Sequence, residues 1–127
     1  MDAPASGIAE VRDAAERYAR ALHVSDTDAL RALFHEASHL YGVAADGSAI
    51  DWPREAFLER VAARTPGTGA AEYEIEQVDM AGPEMAWTRL TVRAGDRLFR
   101  DYLNWLRLDG EWRVIAKIFR VEQGPAI

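Results

Sequence analysis

Apolar side chains in the first half of the chain recur at steps of three and four residues, the spacing of one face of an α-helix. The clearest stripe predicts a first helix that buries Ile8, Val11, Ala15, Tyr18, Ala19 and Leu22. A second helix is expected after a cap at Ser25 or Asp26, because short polar side chains satisfy the free N–H groups at a helix start. A third helix is expected from about Asp51, with Pro53 in its first turn.

After a loop at 65–70 the apolar pattern changes to a period of two, which is typical of strands. Strands are predicted at 72–80, 84–94, 97–108 and 111–121, separated by the turn signals Gly82-Pro83, Gly95-Asp96 and Asp109-Gly110. The Asp-Gly pair favours a tight hairpin, because both central residues of such a turn need a positive φ. Helices followed by hairpin-linked strands predict an α+β fold, with one domain over 1–127 and an antiparallel sheet.

Tight hairpins also predict which side chains lie opposite each other: Arg89 and Tyr102, Trp87 and Asn104, Tyr102 and Lys117. One face of the sheet then mixes aromatic residues with cations, namely Trp87, Arg89, Tyr102, Asn104, Leu106, Ile115, Lys117 and Phe119. The other face is apolar around one carboxylate, with Ala86, Leu90, Val92, Phe99, Asp101, Leu103, Trp105, Trp112, Val114 and Ile118. A β-bulge would exchange the two faces locally.

Composition narrows the classes of function. A net charge of −6 disfavours nucleic-acid and membrane partners, since both require a basic surface. The chain has no cysteine, which excludes disulfides, thiolate metal sites and a cysteine nucleophile. No apolar run approaches the roughly 20 residues of a membrane span, and the N-terminus lacks the pattern of a signal peptide. A cytoplasmic location is therefore expected.

Two longer runs, AERYARALHVSDTDALRALF and RDYLNWLRLDGEWRVIAKIF, resemble the nuclear transport factor 2-like superfamily in their content and order. The second run is most similar to the branch described as putative lumazine-binding, and the N-terminal helices are also similar to ketosteroid isomerases. The resemblance implies a cone-shaped α+β barrel, with about three N-terminal helices packed on a strongly curved antiparallel sheet. It also implies a pocket at the open end of the cone and a homodimer.

The resemblance to ketosteroid isomerases implies roles for single residues. Tyr18 matches a tyrosine that donates a hydrogen bond to a developing enolate oxygen. Asn104 stands where a protonated aspartate completes that oxyanion hole, and an amide can still donate a hydrogen bond. The proton-shuttling carboxylate of those enzymes falls near Tyr41, which is not an acid. Steroid isomerisation by that mechanism is therefore not expected of this chain.

Lys117 and Asp101 match positions in the putative lumazine-binding branch, and each has two interpretations. Lys117 either lies along its strand with its ammonium in water, or is a pocket cation with a lowered pKa. Asp101 either pairs with an arginine or a backbone group, or lines a dry cavity as a general acid or base. Arg89 is either a surface arginine or a ligand for a carboxylate or enolate, and Trp52 either closes a pocket or staples the start of a helix.

The stretch HEASH at 35–39 has the HExxH spacing by which two histidines on one helix bind zinc and a glutamate activates water. Glu59, 20 residues after His39, is in the place of a third ligand. Enzymes of that type are much larger, however, and have a sheet before the motif. The family resemblance instead ends a helix and begins a strand inside HEASH, so no metal and no cofactor are expected. His39 and Tyr41 then become candidates for lining a pocket.

Two functions from different classes remain open. The first is a small cofactor-independent enzyme of the isomerase, dehydratase, cyclase or hydrolase type, acting on a small hydrophobic or aromatic molecule. Its catalytic residues would be Tyr18, Asp101, Asn104 and Lys117. Its substrate-binding residues would be His39, Tyr41, Trp52, Trp87, Arg89, Tyr102 and Phe119. The second is a module that binds a ligand or dimerises without chemistry. A homodimer is expected in either case, although the apolar sheet face could pack on the helices or on a second subunit.

Overall fold

The computed structural model describes residues 3–127, with side chains described from residue 7 onward. The elements are α1 (Ala3–His23), α2 (Thr27–Leu33), β1 (Phe34–Val43), β2 (Ala49–Pro53), α3 (Arg54–Ala62), β3 (Tyr73–Ala81), β4 (Met85–Ala94), β5 (Arg97–Leu108) and β6 (Glu111–Gln123). The strands form one six-stranded sheet in the order β2-β1-β6-β5-β4-β3, which is not closed into a barrel. The three helices pack on its inner face. None of the described helices is long and apolar enough to cross a membrane.

The predicted α+β architecture is confirmed, with two corrections. The sheet is mixed and not wholly antiparallel, because β1 runs parallel to its neighbour β6. The other strand pairs are antiparallel. The third helix does not begin near Asp51, since the stretch through Pro53 forms strand β2, where Asp51 lies opposite Tyr41. Helix α3 begins at Arg54, directly after the proline.

The N-terminal helices follow the predicted pattern. Tyr18 is fully buried on the apolar stripe of α1, whereas Ile8, near the helix start, is 38% exposed. Of the two candidate caps for α2, Asp26 provides the hydrogen bond, since its Oδ1 accepts from the backbone N–H of Ala29 at 3.0 Å. Ser25 instead makes the link between the helices, with a φ of 58°.

A β-bulge in β6 determines which of its side chains face the helices. Trp105 pairs with Val114, but the preceding residue on β5, Asn104, pairs with Ala116, so Ile115 has no partner opposite. One extra residue in a strand reverses the alternation of inward and outward side chains beyond it. The two parts of β6 on either side of Ile115 therefore follow opposite alternations.

The face assignment made from sequence is therefore wrong for the second part of β6. Lys117 and Phe119 face the helices and are 4% and 7% exposed, whereas Ile118 points outward and is 51% exposed. Lys117 lies opposite Leu103 on β5 and not opposite Tyr102. The bulge thus moves a lysine from the expected outer face into the interior.

The register predictions for β4 and β5 are confirmed. Arg89 lies opposite Tyr102, and Trp87 lies opposite Asn104. These four side chains lie on the outer face of the sheet, away from the helices. The apolar inner face packs within the chain itself and buries its two tryptophans, Trp105 and Trp112.

Candidate functional site

A cavity of about 270 Å³ lies between α3 and the inner face of the sheet. Aromatic rings form much of its wall: Trp52, Phe57, Phe99 and Phe119. The charged side chains that line it are all cations: Arg60, Arg64, Arg97 and Lys117. The cavity reaches a buried ionisable group, Lys117, which is 4% exposed. It is therefore the candidate site.

Local structure explains how two of the aromatic rings reach the cavity. Phe119 points inward because of the bulge in β6. A Cβ added at Gly42 would lie only 3.3 Å from the Phe119 ring, so the glycine leaves that ring its space. Trp52 lies at the end of β2, and the guanidinium carbon of Arg60 stacks 4.3 Å from the centre of its indole ring. The sheet and α3 thus both contribute aromatic rings and cations to the wall of the cavity.

Three ionisable side chains, Tyr18 from α1, Asp101 from β5 and Lys117 from β6, meet at the cavity and form what we call the inner cluster. The Tyr18 hydroxyl donates a hydrogen bond to Asp101 Oδ2 and accepts one from Lys117 Nζ at 2.8 Å. Lys117 Nζ also lies 3.5 Å from the same carboxylate oxygen. Tyr18 and Asp101 are fully buried, and Asp101 Oδ1 has no hydrogen-bond donor among the described residues. Lys117 is the member of the cluster that lines the cavity.

The environment of the inner cluster disfavours charge on two of its members. Burial lowers the pKa of the Lys117 ammonium, although the negative charge of Asp101 opposes that change. Burial and the neighbouring Asp101 raise the pKa of the Tyr18 phenol well above its ordinary value. The ammonium also lies 4.8 Å from the centre of the Phe57 ring and 5.2 Å from that of Phe119. An amine whose pKa is lowered is unprotonated in a larger share of molecules than a solvated lysine, and is therefore more available as a general base.

The structure brings some of the predicted site residues together and separates others. Tyr18, Asp101, Lys117, Trp52 and Phe119 lie at the cavity or directly behind it. The remaining predicted residues lie on the outer face of the sheet and do not line this cavity: His39, Tyr41, Trp87, Arg89, Tyr102 and Asn104. The proposed catalytic set of four is therefore not assembled, because Asn104 faces away from the other three members.

On the outer face, the predicted residues have partners of their own. His39 Nδ1 lies 2.5 Å from Asp51 Oδ1, and its ring stacks on Tyr41 with the ring centres 6.0 Å apart. Arg89 Nε lies 3.1 Å from Glu76 Oε1. Trp87 packs on the ring of Tyr102 with a centre-to-centre distance of 5.3 Å.

The HEASH stretch lies wholly within strand β1. Helix α2 ends at Leu33 and the strand begins at Phe34, so the corner precedes the motif and does not fall inside it. The pairing of β1 with β6 shifts register between Phe34 and His39, and the two histidine rings have separate partners: His35 Nδ1 accepts from the Ala37 N–H at 3.0 Å, and His39 Nδ1 lies 2.5 Å from Asp51 Oδ1. Among the residues that the structure describes, no group of three or more His, Cys, Asp or Glu side chains could hold a metal ion.

Sequence reasoning missed the arginines of the cavity. The spacing of Arg60 and Arg64, four residues apart, is a signal for one side of a helix, although Arg64 follows the last residue of α3. A second missed signal is composition, because Lys117 is the only lysine in a chain with 15 basic residues. All the remaining basic residues are arginines, so the one primary side-chain amine of the chain lies at the cavity.

Solved structures with this architecture define the class of protein. The chain is similar to an NTF-2 like protein of unknown function from Silicibacter pomeroyi, with a TM-score of 0.86, 23% identity, and coverage of 94% of this chain and 98% of that one. It is also similar to an NTF2-like protein of unknown function from Shewanella baltica, with a TM-score of 0.83, 20% identity, and coverage of 91% and 93%. A ketosteroid isomerase-like protein from Erwinia carotovora atroseptica has a TM-score of 0.71, 18% identity, and coverage of 92% and 97%. These likenesses establish the nuclear transport factor 2-like fold.

The family follows from the sequence. The model of the family described as putative lumazine-binding matches residues 6–120, which is most of the chain, and the chain belongs to that family. Comparison with curated proteins gives no match. The predicted membership of the nuclear transport factor 2-like superfamily is confirmed.

Proposed function

We propose that this protein binds a small hydrophobic or aromatic molecule in the cavity between α3 and the sheet. The observation that carries the proposal is the cavity itself, about 270 Å³ in volume with four aromatic side chains in its wall. This volume is just below the roughly 300–1,000 Å³ of pockets for drug-sized ligands, which favours a ligand of one or two rings. The description of the family and the ketosteroid isomerase-like neighbour also support small-ligand binding.

The inner cluster supports a second, more specific function, which is cofactor-independent acid–base chemistry on the bound molecule. Lys117 is the group that would touch the ligand and move its proton, since its amine lines the cavity and burial lowers its pKa. Tyr18 and Asp101 would position that amine from behind. This chemistry suits an isomerase or a dehydratase. In the alternative, a binding module, the same groups only orient the ligand.

The binding proposal is tested by blocking the cavity. Naphthol and cinnamate are titrated into the protein while tryptophan fluorescence and heat release are followed, with Trp52 as the reporter in the wall. Ala63 is exposed and lines the cavity, so Ala63→Trp is expected to abolish binding without disturbing the core. Ala62→Trp, also exposed but outside the lining, is the matched control. Binding that survives in Ala63→Trp, or the absence of binding by both probes to the parent, contradicts the proposal.

A homodimer through the outer face of the sheet is a further part of the proposal. Tyr41 and Tyr102 lie opposite Ile118 on the two neighbouring strands, and these side chains are 42%, 36% and 51% exposed. Such a row of exposed apolar side chains in the middle of a sheet favours cover by another surface. Light scattering should give the mass of a dimer for the parent and of a monomer for Ile118→Lys. A monomeric parent at high concentration would rule the dimer out.

A further inference from the structure

The cations of the cavity contrast with those elsewhere in the protein. On the rest of the surface, most arginines pair with acids, as in Arg31 with Glu55 at 3.0 Å and Arg93 with Glu72 at 3.1 Å. The chain has 21 acidic residues against 15 basic ones, so carboxylates are not scarce. Around the cavity, however, the arginines have no ion-pair partner among residues 7–127.

Arg64 is the most informative of these cations. Its side chain is half-buried at the cavity, and a guanidinium stays protonated at every physiological pH. Burial lowers the pKa of Arg64, the nearby Tyr18 opposes that change, and the positive charges of Arg97 and Arg60 add to it. A partly desolvated charge among like charges is unfavourable unless an opposite charge approaches it. Among the described residues, no carboxylate lies within ion-pair distance of the Arg64 guanidinium.

The neighbours of Arg64 do not neutralise one another either. Arg60 stacks on the Trp52 ring, which leaves its charge in place. Arg97 donates from Nε and Nη2 to the backbone carbonyls of Pro125 and Ala126, at 2.8 and 3.3 Å, and carbonyls are neutral acceptors. Lys117 is the exception, because Asp101 lies 3.5 Å from its ammonium. The part of the cavity around Arg60, Arg64 and Arg97 is therefore a site of net positive charge in a protein whose net charge is −6.

We propose that the ligand of this cavity is an amphiphilic anion, an aromatic or hydrophobic carboxylic acid, whose carboxylate binds Arg64 between Arg60 and Arg97. Its apolar body lies among the aromatic rings and reaches toward Lys117. A guanidinium offers two parallel N–H donors that match the two oxygens of a carboxylate. The aromatic walls exclude a strongly hydrated body such as a sugar phosphate. This inference rests on the proposed binding function and adds the charge and class of the ligand.

The test compares ligands of one shape that differ in charge. Cinnamate, cinnamamide and styrenesulfonate are titrated by calorimetry into the parent protein at neutral pH and low salt. Cinnamate is expected to bind about tenfold more tightly than cinnamamide, because charge-assisted hydrogen bonds are roughly twice as strong as neutral ones. This preference should shrink as salt is added, since added ions screen exposed charges. The salt series needs no variant and so does not depend on whether a variant folds.

Two variants then locate the anion site. Arg64→Gln keeps a polar side chain without charge, and it should lose the preference for cinnamate while its affinity for cinnamamide stays that of the parent. Arg107→Gln removes an exposed arginine outside the cavity and should keep the preference. A preference that persists in Arg64→Gln would overturn the assignment of that residue.

The outcomes separate this inference from the binding proposal. If cinnamamide binds as tightly as cinnamate, the anionic ligand is wrong but the cavity still binds aromatic molecules. If none of the three compounds binds, both proposals fail. Cinnamate binding at least as tightly as styrenesulfonate supports a carboxylate, and tighter binding of the sulfonate overturns that choice.

Discussion

Two charged clusters lie on opposite faces of the same strands and differ in what controls their ionisation. The inner cluster of Tyr18, Asp101 and Lys117 has almost no contact with solvent. The outer cluster consists of Glu76, Arg89, Arg100 and Glu122, with side chains 20–40% exposed. Arg100 belongs to the outer cluster and its neighbour Asp101 to the inner one. A single step along β5 therefore separates two different electrostatic environments.

Charge stabilises charge in the outer cluster, whereas burial acts against charge in the inner one. The hydrogen bonds that Arg100 donates to Glu122 and Glu76 raise the pKa of Arg100, and Arg100 lowers the pKa of Glu122. In the inner cluster, burial lowers the pKa of Lys117 and raises that of Tyr18. Ion pairs in partial contact with water contribute only a little to stability. A desolvated amine beside a cavity is instead suited to binding or proton transfer.

The largest expected effect comes from breaking the inner cluster at Asp101. Asp101→Ala removes the buried carboxylate and leaves the Lys117 ammonium without its counter-charge. The loss of one partner of a buried pair typically costs about 3–5 kcal/mol, and urea denaturation measures this as a lower free energy of unfolding. The double variant Asp101→Leu with Lys117→Met is the control and should recover much of the loss. A single variant as stable as the parent would show that the two charges do not depend on each other.

Many of the helices and strands that carry the inner cluster were predictable from local sequence patterns. The 3.6-residue period predicted the helix that contains Tyr18, and turn signals predicted the hairpins that contain Asp101 and Lys117. The parallel pairing of β1 with β6 was not predictable, because the alternation of apolar and polar residues identifies a strand but does not indicate which other strand it pairs with. The contact of Lys117 with Asp101 was missed for a related reason: the bulge at Ile115 has no signature in the residues around it and depends on packing.

The site itself was predicted only in part. Lys117 and Asp101 were singled out by residue type and apolar surroundings, and both belong to the inner cluster. Asn104 was assigned through the family resemblance, yet alternation along β5 turns it away from the cavity. Arg64 and Arg97 were missed because they lie outside regular periodic stretches or at strand ends, where sequence patterns do not indicate direction.

The second-largest effect on stability is expected from the substitution of Tyr18. The chain has four tyrosines, and ultraviolet absorption of the phenolate should show Tyr18 as the one that stays protonated well above pH 10. Because its pKa is raised in the folded state, its contribution to stability is complete below the unfolded-state pKa of about 10 and is lost as the pH rises beyond it. Tyr18→Phe should delete the late ionisation and cost about 1–3 kcal/mol, since Asp101 and Lys117 lose a buried hydrogen-bond partner. A parent in which all tyrosines ionise together near pH 10 would contradict the assignment.

Lys117 offers a sharper measurement, because it is the only lysine of the chain. Protein labelled with ¹³C-lysine gives one side-chain Cε resonance, whose pH titration should have a midpoint below the ordinary value of about 10.4. Because the pKa of Lys117 is lowered in the folded state, its contribution to stability is complete above the unfolded-state pKa of about 10.4 and is lost as the pH falls through the folded-state pKa. Asp101→Asn removes the charge that opposes the shift, so its midpoint should fall further. A midpoint at or above that of a free lysine would contradict the shift by burial.

The smallest effect is expected on the outer face. Glu122→Gln removes a carboxylate whose Oε1 lies 2.6 Å from Arg100 Nε, yet solvent reaches both side chains and weakens their attraction. The free energy of unfolding should fall by only a small part of the Asp101→Ala effect, and the difference from the parent should decrease in salt. Since Arg100 lowers the pKa of Glu122, the contribution of this pair is complete above the unfolded-state pKa of about 4.3 and is lost as the pH falls. A loss as large as that of Asp101→Ala, insensitive to salt, would mean that the outer cluster is as desolvated as the inner one.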